Sequence, residues 1–142
     1  MIPSWLNEWR MVNFNWNWTR RPGYADWQMS YRRRGNCPLP ALALAMNPKF
    51  AATAKEPNLQ LNCYNRHAPT FNRHRDSNDT QHSLVYIFGT FKGGILIVET
   101  PHGAKPLNKL RRWQPFNGAH FHAMTPVMSG VRYSAVLYDR VA

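Results

Sequence analysis

Residues 57–140 fall into short β-rich runs divided by Gly, Pro and Asn, and this punctuation excludes most ways of building a core. "NLQLNCYNR" (58–66) alternates polar and apolar side chains, the period-2 pattern of a strand with one buried face. "SLVYIFG" (83–89) and "GGILIVE" (93–99) are two further runs, and their spacing predicts a turn that carries Gly89 and ends in Gly93-Gly94. "RRWQPFNG" (111–118), "HFHAMTPV" (120–127) and "VRYSAVLYD" (131–139) complete the series. Short strands with short connections bury their apolar faces by closing into a sandwich or barrel.

A helix is expected before them. "PLPALALAMNPKF" (38–50) is rich in Ala and Leu and should be helical after Pro40, stopping before Pro48, because proline disfavours helical geometry in the residue preceding it. The expected architecture is mainly β with an N-terminal helical flank. A single domain is expected over 1–142, with 1–56 a Trp- and Arg-rich flank plus helix and 57–140 the β core. No apolar run approaches the roughly 20 residues that cross a bilayer, so no membrane partner is expected. The first ten residues lack the pattern of a secretory signal. Cys37 and Cys63 are too far apart for a Cys-x-x-Cys site and read as two reduced thiols, which favours an intracellular address, nuclear if the partner is genomic DNA.

Charge narrows the partner. Lys and Arg number 18 against 7 Asp and Glu, a net +11, and 13 of the cations are Arg. Such an excess attracts polyanions, and the planar guanidinium fork matches phosphate. Five of the six Trp lie within the first 27 residues, interleaved with Arg10, Arg20, Arg21 and followed by Arg32-Arg33-Arg34. Aromatics among arginines stack on bases while the cations hold phosphates; equally, the tryptophans cover one side of the core.

Two patterns carry chemistry. In an extended segment His74 and Asp76 point to the same side, so one imidazole and one carboxylate can share a metal. A further imidazole is offered by His120 or His122 on a distant run. Two His and one carboxylate form the facial triad of non-haem Fe(II) oxygenases. Downstream, Arg132 and Ser134 share a strand face, and a guanidinium with a hydroxyl two residues on can grip a carboxylate. An Arg inside "VRYSAVLY" sits among core positions and requires a partner.

With "HRD" (74–76), "FKGGIL" (91–96) and "FNGAHFHAMTPVMSGVRYS" (116–134) in view, the chain resembles the 2-oxoglutarate- and Fe(II)-dependent dioxygenases. The resemblance implies a double-stranded β-helix, jelly-roll-like, with Fe(II) on His74, Asp76 and His122 as metal-binding and catalytic residues. It also implies 2-oxoglutarate held by Arg132 and Ser134. "HxDSND", "GGIL", "FNG" and "GVRYS" look most like the branch that holds the TET methylcytosine oxidases and the kinetoplastid thymine hydroxylases. "LNCYNRHAPTFNRHRD" (61–76) is similar to the N-x-Y…HxD stretch of AlkB-type demethylases, which would add Asn62 and Tyr64 to the co-substrate pocket. His120 is then a neighbour of the metal, a substrate contact or a strand residue, and Asp79 belongs to a turn.

The function expected is a dioxygenase oxidising a base methyl group, of 5-methylcytosine or thymine type, in nucleic acid, DNA ahead of RNA. Arg73 and Arg75, flanking His74, would hold the backbone near the metal or stand as solvated charges. Two alternatives fit the same motifs: a prolyl-hydroxylase-like protein oxygenase, and a non-catalytic basic module that binds nucleic acid.

Overall fold

The computed structural model describes residues 19–21, 25–32, 39–65, 75 and 79–140, with side chains placed over 39–64, 75 and 83–139. Among the described residues the order is β1 (Thr19–Arg21), β2 (Ala25–Arg32), α1 (Leu39–Met46), α2 (Pro48–Thr53), β3 (Pro57–Asn65), β4 (Asp79–Gly93), β5 (Leu96–Thr100), β6 (Gly103–Leu107), β7 (Trp113–Phe116), β8 (His122–Met124) and β9 (Val127–Arg140). A main sheet runs β1-β2-β3-β9-β4-β7 and a smaller one β6-β5-β8, with every pairing antiparallel. Among the described residues no helix is long and apolar enough to cross a membrane.

Strand alternation builds two cores. On one face of the main sheet Leu59, Leu61, Phe88, Ala135 and Leu137 pack against Leu39, Ala43, Leu44 and Phe50 of the helices. Burying one such side chain contributes about 1.5–3 kcal/mol. The cross-strand pairs Tyr86–Trp113 (centroids 5.3 Å) and Phe88–Tyr133 (5.2 Å, stacked) extend that face. On the other face Tyr64, Val85 and Ile87 meet Leu96, Val98, Leu107, Met124 and Val127, closing the two sheets over each other. This is a jelly-roll-like double-stranded β-helix, as expected.

Of the four places where the chain changes sheets among the described residues, two lie side by side. β4 leaves the main sheet for β5 through Gly94 and Ile95, and β8 returns to β9 through Thr125 and Pro126. The crossings are laced together: Gly94 N–H donates to Pro126 O (2.9 Å), Thr125 N–H to Ile95 O (2.9 Å), and Ile95 N–H to Thr125 Oγ1 (2.8 Å).

Four local expectations are corrected. Gly89 does not turn the chain. It lies within β4 opposite Arg132 at φ +112°, where an added Cβ would sit 2.4 Å from Val131 O, so the glycine serves the ladder. The runs at 83–89 and 93–99 therefore belong to different sheets and form no hairpin. Pro48 opens α2 instead of only ending α1; proline is preset for the first turn, and Asn47 between the helices donates Nδ2–H to Ala43 O (2.8 Å). Asp79 begins β4 opposite Arg140 rather than sitting in a turn. The expected order of helix before strands also misses β1 and β2, which extend the main sheet beside β3. Buried Asp139 ties the chain entering β3 to β9 by accepting N–H bonds from Lys55 (3.1 Å) and Glu56 (2.6 Å).

Candidate active site

The space between the sheets is polar at one end, and the ladder places each group there. Tyr64 of β3 is directly opposite Arg132 of β9, and Asn62 is opposite Ser134. All four are buried. Period 2 aims them at the inner side, with Tyr64 in the same cluster as Leu96 and Met124 of the smaller sheet. The structure thus brings together the four residues expected to bind the co-substrate. Asn62 donates Nδ2–H to Ser134 Oγ (3.4 Å), so the hydroxyl's own hydrogen is directed elsewhere.

Among the described residues Arg132 is the largest fully buried side chain, only 2% exposed. Its Nε–H donates to Gly94 O (2.8 Å), and its guanidinium carbon lies 5.2 Å from the centre of the Tyr64 ring. Gly94 is needed there: at φ +60°, a Cβ would come 2.9 Å from Arg132 Cδ. Burial holds the guanidinium below the usual arginine range, with Tyr64 opposing the shift, and no described carboxylate contributes. Arginine stays charged even so. With Nε committed to a neutral carbonyl, the two terminal nitrogens form a fork suited to an anion. A buried charge without a counter-ion costs several kcal/mol, and a bound carboxylate is the chemistry that offsets it.

His122 enters the same space from β8. It pairs opposite Val98, and its inner-face neighbour Met124 lies in the inter-sheet core. Its Nδ1 is 2.8 Å from His120 O. A carbonyl only accepts, so Nδ1 carries a proton, and in the neutral ring the lone pair is then on Nε2, the state of a metal-ligating imidazole. Phe116 presents its ring edge-on to His122 at 5.7 Å. The carbonyl that fixes the tautomer is itself held by the 117–120 turn, where His120 N–H donates to Asn117 O (3.0 Å) and Ala119 N–H to Asn117 Oδ1 (2.9 Å). Of the roles open to His120, the structure displays this backbone support.

His74 and Asp76 lie outside the described residues, as do Arg73 and Cys37. Among the described residues no three His, Cys, Asp or Glu side chains gather as a metal cluster. Arg75, between the two expected ligands in sequence, is described: its guanidinium lies over the Phe121 ring, 5.2 Å from the centroid, and Phe121 immediately precedes His122. Cys63 is a buried thiol and His102 is exposed. Sequence reasoning missed the Gly94 carbonyl and the Phe116 ring; the paired glycine in "FKGGIL" was the available signal for the first.

No family model and no curated protein matches the chain. Solved structures do. A prolyl-4-hydroxylase from Pseudomonas putida superposes with a TM-score of 0.62 at 18% identity, covering 94% of this chain and 81% of that one. The chain has the fold of the 2-oxoglutarate- and Fe(II)-dependent oxygenases. An oxidoreductase of that family from Burkholderia pseudomallei matches at 0.63 and 18% identity, over 91% of this chain and 76% of its own. A Trichoplax adhaerens prolyl hydroxylase, solved with a hypoxia-inducible-factor peptide, matches at 0.63 and 12% identity, over 96% and 74%.

Proposed function

We propose that the chain is a 2-oxoglutarate- and Fe(II)-dependent dioxygenase. The observation that carries this reading is Arg132, a buried cation whose fork faces the same closed interior as His122 and has no described carboxylate to neutralise it. The residues fit both groups. Arg132 and Ser134 would hold the distal carboxylate of 2-oxoglutarate, with Asn62 orienting the serine and Tyr64 walling the pocket. His122 would bind Fe(II) through Nε2, with His74 and Asp76 completing the triad expected from sequence. When bound, iron and 2-oxoglutarate supply the activation of dioxygen that inserts one oxygen atom into a substrate C–H bond, with succinate and carbon dioxide as by-products. The chain's own contribution is placement: a charged fork anchored at one carbonyl, an imidazole fixed in one tautomer, and an apolar inter-sheet core that excludes water from both.

For substrate, the net +11 and its 13 Arg support nucleic acid, and the "HxDSND" and "GVRYS" motifs support a base methyl of 5-methylcytosine or thymine. Such a carbon is hidden in a duplex, so the base must be flipped or single-stranded. The same charge and address favour DNA in the nucleus. Protein prolyl hydroxylation is the second reading, favoured by the prolyl hydroxylases among the structural matches.

Adding Fe(II) and then 2-oxoglutarate to the oxygen-free protein tests the first statement. A visible charge-transfer band that requires the metal and disappears in Arg132→Ala is expected; its absence from folded wild type removes the dioxygenase reading. Succinate release with methylated single-stranded DNA, set beside proline peptides, then decides the substrate.

A further inference from the structure

The sequence offers a metal two neighbouring imidazoles, His120 and His122, and the hydrogen bonds around them tell the two apart. The difference is set at Asn117. Its backbone carbonyl accepts His120 N–H (3.0 Å), which closes a turn, and its Oδ1 accepts Ala119 N–H (2.9 Å). Asparagine suits the first position of such a turn because its side chain copies a backbone acceptor. A backbone N–H only donates, so the bond from Ala119 identifies the amide oxygen and leaves Nδ2 as a donor.

That donor lies 3.4 Å from His120 Nε2. It requires a lone pair there, so the neutral His120 ring carries its proton on Nδ1. Both rings therefore hold the same tautomer, and their Nε2 atoms have different uses. In His120 the lone pair is taken by an amide of its own turn. In His122, whose Nδ1–H goes to His120 O (2.8 Å), the same nitrogen is the one assigned to Fe(II) above. Burial follows the same division: His120 is half-buried at the turn, and His122 is 5% exposed. Phe116, the residue before Asn117, sets its ring edge-on to His122, so two consecutive residues bear on this imidazole.

We propose that Asn117 is a positioning residue of the metal centre. It withholds the His120 ring from the metal and holds in place the carbonyl that aims His122. It acts through the two histidines, by a bond to one ring and by support of the carbonyl that serves the other. This role rests on the dioxygenase reading above and selects the second histidine of "HFH" over the first.

The test measures Mn(II) affinity of the full chain by calorimetry and the charge-transfer band with Fe(II) and 2-oxoglutarate in the absence of oxygen. Loss of a group that orients a metal ligand costs about 10- to 100-fold in metal affinity, so Asn117→Ala should weaken Mn(II) at least about tenfold and shift the band. Asn117→Ser, whose hydroxyl still accepts the Ala119 N–H, should recover part of both. His120→Ala keeps the carbonyl, so Mn(II) affinity should fall less than about threefold, whereas His122→Ala should abolish binding. Asn117→Ala that binds Mn(II) as wild type does, or weakens it only in step with a lower metal-free melting temperature, overturns the role. So does His120→Ala as damaging as His122→Ala, which would make His120 a ligand. Either result leaves the wild-type band, and the dioxygenase reading, standing. Folded wild type without the band overturns both.

Discussion

The two faces of the main sheet are made from the same strands and do opposite work. On β9, Ala135 and Leu137 face the helices, fully buried and apolar; Arg132 and Ser134 face the smaller sheet, equally buried and polar. On β3, Leu59 and Leu61 alternate with Asn58, Asn62 and Tyr64 in the same way. A helix-side residue gains free energy by leaving water. Arg132 and Asn62 on the inner side give some up, because a guanidinium or amide taken from water is compensated only by a partner, while Val85 and Ile87 on that side gain as the helix-side residues do. The helix face holds the sheet together so that the inner face can carry groups that do not.

Substitutions on each face should sharpen this division. The largest effect is expected from Arg132→Met, which should weaken 2-oxoglutarate binding at least a hundredfold, on the order of 3–5 kcal/mol for a lost buried charge pair. The unliganded protein should unfold no earlier than wild type, because the substitution removes a buried charge; calorimetry with and without 2-oxoglutarate reads both. Leu137→Ala, five residues along the same strand, should do the reverse. It should cost about 2–5 kcal/mol in denaturant midpoint while co-substrate affinity in the folded fraction is retained. An Arg132→Met protein as destabilised as Leu137→Ala would erase the distinction between the faces.

Smaller effects probe the edges of the site. Arg75→Ala removes the cation from Phe121, a contact of about 0.5–1 kcal/mol when exposed. Mn(II) affinity should fall roughly two- to fivefold, with partial recovery in Arg75→Lys and no change in melting temperature. Tyr133 supplies the smallest. Burial first, and then Cys63, holds its phenol above the usual tyrosine value. The unfolded chain therefore loses this proton at a lower pH than the folded one. Stability from this source is intact below the unfolded pKa and is lost as pH rises through that value toward the folded pKa. Tyr133→Phe keeps the ring stacked on Phe88 and should flatten the alkaline decline of the melting temperature above about pH 10.

The inner face was legible where its logic is local. Period 2 alone puts Arg132 with Ser134 and Asn62 with Tyr64, and the ladder between β3 and β9 turns those two pairs into one site. What the sequence concealed depends on contacts between distant segments. No local rule joins Gly94 to Arg132, which lie 38 residues apart, or shows that Gly89 sits within a strand. β6, "GAKPL", escaped notice because an exposed edge strand needs neither β-branched residues nor a ban on proline. β2, "ADWQMSYR", alternates apolar and polar residues without a break, a strand signal masked by the Trp- and Arg-rich stretch around it. The buried Ser83 hydroxyl is invisible in "HSLVYIFG", where serine reads as the polar start of a strand.

The Gly94 carbonyl that holds Arg132 belongs to the crossing where β4 leaves for β5, and that crossing is stitched to the return from β8 to β9. A side chain tethered to such a seam cannot advance to meet a ligand that falls short. The site is therefore a fixed-length gauge. Under the proposed function, a dicarboxylate one methylene shorter than 2-oxoglutarate would reach the guanidinium or the metal ligands but not both, and selection among keto acids would become a measurement of length by the sheet junction itself.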